Sequence, residues 1–281
     1  MADWIEQVKR HYSRPIEEIH VIKSGWSNVV VEVNRNIVFR FPRKILPQFE
    51  VEKAFLADFK SDVATPRPIL SGPDFIAYNR IPGERFDPQK FLLLDSTNQQ
   101  YILRQLGQFL TQLHSSQFSH PHLSENEYGS ATFWEETWPL VSPWLKPKTQ
   151  QKAQVYFEGY FEFTRAYPLT KSIIHGDLGT NNLLVDFDQA KLTGIIDFSD
   201  MCIGDPASDF AGFARHFGHE FVNHLIELYE RPAGQHFWQR ISYSNMRKRF
   251  FIVYFAHHNG FAEHIPSIIQ LIEKEFEEIH P

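Results

Sequence analysis

Residues 173–186 read Ile-Ile-His-Gly-Asp-Leu-Gly-Thr-Asn-Asn-Leu-Leu-Val-Asp, and residues 194–200 read Gly-Ile-Ile-Asp-Phe-Ser-Asp. They supply a carboxylate (Asp177), an amide five residues on (Asn182) and a second carboxylate (Asp197). That set suits transfer of a phosphoryl group to an alcohol, where positioning and charge neutralisation do most of the catalysis. Asp177 can orient an alcohol and take its proton as the oxygen attacks. Magnesium prefers hard oxygen ligands and keeps several waters, so Asn182 and Asp197 suffice beside nucleotide phosphates.

The elements between these residues must bring them together. Residues 183–185 and 192–196 read as short apolar strands joined by the polar turn Asp186-Phe187-Asp188-Gln189. A hairpin there returns Asp197 to the side of Asn182.

His175-Gly176-Asp177 with Ile196-Asp197-Phe198 resembles the aminoglycoside phosphotransferase family, relatives of choline kinases and distant relatives of protein kinases. Gly204-Asp205-Pro206-Ala207-Ser208-Asp209-Phe210 is similar to that family's Gly-Asp-Pro-x-x-Asp segment. The His-Arg-Asp and Asp-Phe-Gly of protein kinases are not in the chain. The resemblance implies an α+β, bilobal, protein-kinase-like fold. A small β-rich N-terminal lobe over residues 1–80 would bind nucleotide, and a larger, mainly helical lobe over 81–281 would hold the catalytic loop, metal site and substrate cleft. It also implies Asp177 as catalytic base, Asn182 and Asp197 as Mg2+ ligands, His175 as an orienting residue and Asp209 as the pin of the catalytic loop.

In the front part, residues 19–23, 29–34 and 37–41 alternate or run apolar, which predicts three antiparallel strands. Between the first two lies Ser24-Gly25-Trp26-Ser27-Asn28, which taken alone reads as an ordinary hairpin turn, although Ser27 and nearby backbone can touch phosphate oxygens. Arg40 stands on the third strand where kinases have a lysine that meets the phosphates and a helix glutamate. Its planar fork can serve phosphate and carboxylate, with a geometry unlike an ammonium's. A helix is predicted over 49–59, with Glu50 and Glu52 both in range of Arg40 and Glu52 preferred. After Pro66-Arg67-Pro68 a strand pair ends at Tyr78-Asn79-Arg80-Ile81-Pro82-Gly83. The resemblance makes this the hinge, with Tyr78, Asn79 and Ile81 at a purine edge and Ile196 against the nucleotide. Together with Phe39-Arg40-Phe41-Pro42 it looks most like the branch acting on the 2″-hydroxyl of aminoglycosides.

Farther along, Ser96-Thr97-Asn98-Gln99 predicts a capping-box helix start. Leu103, Leu106, Leu110 and Leu113 then form a core stripe ending at His114, a satisfied helix-end histidine. Trp134, Trp138 and Trp144 lie among prolines and read as loop residues able to wall a substrate cleft. Tyr156, Tyr160, Phe163 and Tyr167 recur at helical spacing, as do Ile268, Ile272, Phe276 and Ile279.

Charge is uneven: residues 1–92 carry a net +2 and residues 177–281 a net −7. A basic front suits nucleotide phosphates; an acidic rear suits a cationic substrate or is a solvated surface. Asp200, Asp205, Glu220, Glu227 and Glu230 are candidate partners for substrate ammonium groups. The scattered histidines form no zinc motif, no basic stripe suggests nucleic acid, and no apolar run is long enough to span a membrane. The single cysteine, Cys202, reads as a small buried hydrophobe. With no basic, apolar leader at the N-terminus, a cytoplasmic protein is expected, with a monomer as the default.

The expected function is Mg2+-dependent transfer from ATP or GTP to a hydroxyl of a small, aminoglycoside-like cation. Alternatives are another small alcohol (macrolide, choline, homoserine or methylthioribose) or a nucleotide-binding module without turnover.

Overall fold

The computed structural model describes residues 4–23, 27–126 and 130–278. A short helix, α1 (Trp4–His11), precedes strands β1 (Ile19–Ile22), β2 (Asn28–Val33) and β3 (Ile37–Pro42). Helix α2 (Pro47–Asp58) follows, then β4 (Leu70–Ser71) and β5 (Ile76–Asn79). All five strands form one antiparallel sheet in the order β1-β2-β3-β5-β4. Period-two alternation sends Phe39, Phe41 and Ala77 to one face, where Val8 of α1 closes a small core. Val38, Ile76 and Tyr78 go to the other face, against Phe55 and Leu56 of α2. Arg40, two residues from Val38, shares that second face. Proline at the start of α2 fixes a helical φ and needs no N–H, which sets the helix start.

The chain leaves this sheet after β5 and enters a larger, mainly helical part. In order come β6 (Glu84–Arg85), α3 (Pro88–Leu93), α4 (Ser96–His114), α5 (Ala131–Val141), α6 (Pro147–Ala166) and β7 (Ser172–Ile174). They are followed by β8 (Leu183–Asp186), β9 (Lys191–Ile195), β10 (Cys202–Gly204), α7 (Ser208–Glu227), α8 (Phe237–Asn259) and α9 (Ile265–Glu278). β8 and β9 form the expected hairpin, with β6 added to its edge. The Asp186 carboxylate accepts the Gln189 amide at 3.0 Å and closes the turn. The largest core runs from α2 through α4, the hairpin and α7. Phe198 joins these layers: it is fully buried, with ring centroids 5.8 Å from Phe55 and 6.4 Å from Phe109. Burial of such a ring stabilises the fold by roughly 2–3 kcal/mol.

Two local expectations are corrected. Helix α4 is capped one residue early, by the Asp95 carboxylate on the Asn98 amide at 2.9 Å, while the Gln99 side chain donates to the Phe91 and Leu94 carbonyls. Trp134 and Trp138 are helical, in α5, which accommodates Pro139 in its last turn because the missing N–H breaks only one bond there. Trp134 stacks on Phe157 at 3.8 Å, so it fills a helical core rather than walling a cleft.

Candidate active site

The loop between β7 and β8 carries Asp177, and its shape is dictated by two backbone constraints. Gly176 has φ of +80°, and a Cβ there would collide with the Asp200 carbonyl, so glycine is the residue that fits. Gly212 of α7 lies so close beneath Leu178 that a side chain would strike the Leu178 carbonyl. Asp209, fully buried at the start of α7, accepts the His175 amide at 2.8 Å and the Gly176 amide at 3.0 Å. His114 Nε2 lies 3.1 Å from the same carboxylate and its Nδ1 2.8 Å from the Tyr229 hydroxyl. A carboxylate can only accept, so Nε2 donates and Nδ1 accepts from tyrosine. Burial pushes Tyr229 up to about 12, which keeps that hydroxyl a donor. The helix-end histidine is therefore part of the support of the loop that carries Asp177.

Asn182 and Asp197 are brought together through the backbone. Ile196 donates its amide to the Asn182 carbonyl at 2.9 Å, and its own carbonyl accepts from His175 Nε2 at 3.0 Å. His175 thus carries its proton on Nε2, leaving Nδ1 toward the Asp177 amide at 3.4 Å. Asn182 Nδ2 donates to the Asp177 carbonyl at 2.8 Å, which fixes the amide's orientation and leaves its Oδ1 as an acceptor. Asp197 adopts left-handed backbone angles (φ 66°, ψ 68°), a conformation that costs a non-glycine residue about 1 kcal/mol. It is held there by the burial of Phe198 and by two donors on Oδ1: Ser199 Oγ at 2.7 Å and Arg40 Nη1 at 3.1 Å.

Arg40 connects the two parts of the molecule. It is buried on β3, ion-paired through Nη2 with Glu52 of α2 and through Nη1 with Asp197. Burial alone would push the guanidinium down; Glu52 and Asp197 outweigh it and hold it above its ordinary value. Tyr78 feels the same cluster, with burial pushing its phenol up to about 12. Ser27 and Glu52 line a cavity of about 500 Å³ that also reaches Gly176, Asp200 and Lys248. Tyr78, Asn79, Ile81 and Ile196 do not line that cavity. Tyr78 lies in the core, Asn79 is exposed, Ile81 packs on Gly194 of β9, and the Arg80 amide is taken by the Asn36 carbonyl at 2.6 Å. Of the turn expected to touch phosphate, Ser24 to Trp26 lie outside the described residues.

The donor set fits a magnesium ion. Asp197 is 44% exposed with Oδ2 unclaimed by the donors above, and Asn182 offers an amide oxygen, the hard ligands such an ion takes beside phosphates. Among the described residues no cluster of three or more His, Cys, Asp or Glu could hold a metal by itself.

Helix α8 contributes residues that the sequence alone did not assign. Lys248 Nζ lies 2.9 Å from Asp177 Oδ1 and 3.8 Å from Asp200 Oδ2. Arg247, beside it, lines both the first cavity and a second of about 830 Å³. The signal available was the run Arg247-Lys248-Arg249 inside an otherwise acidic segment. Of the carboxylates expected to meet a cation, Asp205 is ion-paired with Arg240 at 2.9 Å and Asp200 faces Lys248. Glu220, Glu227 and Glu230 line neither cavity.

The chain is similar to viomycin phosphotransferase of Streptomyces vinaceus, at 25% identity over 183 residues, covering 62% of this chain and 63% of the relative's length. Its fold matches an aminoglycoside 2″-phosphotransferase solved with GDP and kanamycin, with a TM-score of 0.85 at 20% identity over 99% of both chains. It also matches an aminoglycoside 2″-phosphotransferase solved with streptomycin and ATP, with a TM-score of 0.76 at 19% identity over 99% of this chain and 96% of the other. Residues 18–243 match the model of the phosphotransferase enzyme family, APH. With the kinase-like fold and the Asp177, Asn182 and Asp197 constellation in place, the match settles membership: the chain belongs to the APH phosphotransferase enzyme family.

Proposed function

We propose that the protein transfers the γ-phosphoryl group of ATP or GTP to a hydroxyl of a small molecule, using Asp177 as the base. The observation that carries this reading is the convergence of Asp177 and Asn182, of one loop, with Asp197 beyond the hairpin onto one site, with Arg40 and Glu52 behind it. Asp177 is 47% exposed, next to Gly176 and in contact with Lys248, which line a cavity, so an acceptor hydroxyl can reach it. Residues 1–80 serve as the nucleotide lobe and 81–281 as the acceptor lobe. Ser27 and the backbone around Tyr78, Asn79 and Ile81 meet the nucleotide, with Ile196 lying under it, and Arg40 holds the phosphate-side geometry through Glu52. Asn182 and Asp197 would hold Mg2+. When bound, that ion would neutralise charge between donor phosphates. The chain's own work is to orient the hydroxyl, accept its proton at the Asp177 carboxylate and hold that carboxylate through Asp209 and His175.

An aminoglycoside-like acceptor is the first to test, supported by the fold's likeness to proteins solved with kanamycin and streptomycin. The test is nucleotide consumption with magnesium and ATP or GTP against aminoglycosides, macrolides, choline and homoserine. Turnover of at least one acceptor is expected. Asp177→Asn should lower it by roughly 10²–10⁴-fold with nucleotide binding retained. Full turnover in that variant removes Asp177 from the chemistry, and failure of every acceptor despite nucleotide binding favours a module without turnover.

A further inference from the structure

Three arginines are buried among the described residues: Arg40, Arg240 and Arg247. The first is paired with Glu52 and Asp197 and the second with Asp205. Arg247 is 6% exposed and has no hydrogen-bond or ion-pair partner among the described residues. A buried charge left unpaired is costly, and a guanidinium does not escape the cost by losing its proton. Such a group is retained where a ligand completes it.

The position of Arg247 says which ligand. Its side chain lies in the wall common to the two cavities, one of which opens onto Gly176 and Lys248 beside Asp177. The second cavity presents the hydroxyls of Tyr160 and Tyr243, which have no partner among the described residues. Burial raises both phenols, so they stay protonated and each can donate to an anion held there. Of the other charges nearby, Asp205 is paired with Arg240 and Glu125 with Lys171, Asp177 and Asp200 share Lys248, and Glu136 lines the second cavity. Among the described residues Arg247 is left with no carboxylate within ion-pair distance, so its own charge asks for an anion. One guanidinium fork matches the two oxygens of a carboxylate bidentately. A phosphate dianion would meet more repulsion from Asp200, Asp205 and Glu125 and would ask for more donors.

We propose that Arg247 anchors a carboxylate of the acceptor, so that the substrate class is a hydroxyl-bearing small molecule with a free carboxylate, in place of the aminoglycoside-like cation. This inference rests on the phosphotransfer reading above for the role of the ligand, but not for its binding. The acceptor hydroxyl lies at Asp177 while the carboxylate, at the other end of the molecule, fills the gap between the two cavities.

Two measurements test it. First, gluconate, its neutral amide and inorganic phosphate are titrated calorimetrically into protein saturated with magnesium and a non-hydrolysable ATP analogue. Gluconate should bind, the amide and phosphate at least ten-fold more weakly, and Arg247→Met should lose at least ten-fold for gluconate with nucleotide affinity unchanged. The melting temperature of that variant should equal or exceed the wild type, because an apolar chain replaces an unpaired buried charge. Equal binding of acid and amide, tighter binding of phosphate, or unaltered gluconate binding in the variant overturns the proposal. Second, hydroxy acids and their amides are compared as acceptors, with a ten-fold preference in kcat/KM for the acids expected to vanish in Arg247→Met. Carboxylate binding that depends on Arg247 without any turnover would keep this site and sink the phosphotransfer reading. Turnover of neutral acceptors indifferent to Arg247 would do the reverse.

Discussion

Lys248 Nζ lies 2.9 Å from Asp177 Oδ1, so the carboxylate proposed as base is held by a cation from α8 as well as by its own loop. The ammonium also lies beside Asp200 and 5.3 Å from the Phe251 ring centroid, which confines it. Replacing it with methionine frees the carboxylate to rotate and removes positive charge from where the phosphoryl oxygens gain negative charge. Lys248→Met should lower kcat by on the order of 10-fold or more in steady-state assays, with the nucleotide KM little moved. The melting temperature should hardly change, because a partly exposed ion pair contributes about 1 kcal/mol or less.

Arg40 separates charge from geometry. Arg40→Lys keeps the cation but cannot fork between Glu52 and Asp197, so kcat should fall by roughly ten-fold while the fold survives. Arg40→Met strands Glu52 in the core and should cost about 3–5 kcal/mol in denaturant melts. Unchanged stability in that variant would mean the pair does not hold β3 to α2.

Asp209→Asn turns one acceptor oxygen into a donor facing amides or the His114 ring. About 3 kcal/mol of stability should be lost by chemical denaturation, together with most turnover. Retained activity at a lowered melting temperature would show that the loop keeps its shape without this pin.

Cys202 gives a pH prediction. Burial pushes its thiol from an ordinary 9.0 up to about 12. The folded state therefore holds a proton that the unfolded chain releases first. This stability contribution is complete below pH 9 and is lost as pH rises toward 12, amounting to about 2 kcal/mol by pH 10.5. Cys202→Ala should remove that part of the alkaline destabilisation in melts at pH 8 and 10.5. The native thiol should resist a disulfide reagent at pH 8 and react once denatured.

What the sequence discloses depends on how local the physics is. Asp177 and Asn182 share one loop, and the turn from Asp186 to Gln189 returns Asp197, so the core of the candidate site is readable over 25 residues. Arg40 and Glu52 are readable because a strand and the next helix repeat a known frame. Lys248 and Arg247 are not, because α8 reaches the site by packing, and a run of basic residues on a helix looks the same whether it faces water or a cavity. The helical Trp134 and Trp138 were obscured by Pro139, since a proline near a helix end costs far less than one in its middle. The cap at Asp95 went to the residue whose carboxylate met an amide, although Ser96 and Gln99 also satisfied the pattern.

One guanidinium joins the sheet-bearing part to the helical part at the level of the metal-ligand candidate. The bond from Arg40 to Glu52 lies wholly within the first part, whereas the bond to Asp197 crosses to the second. A motion that widens the cleft must break the crossing bond and spare the other. Arg40 is therefore anchored at its Glu52 end and releasable at its Asp197 end, so the crossing contact is the one that any separation of the two parts would break first.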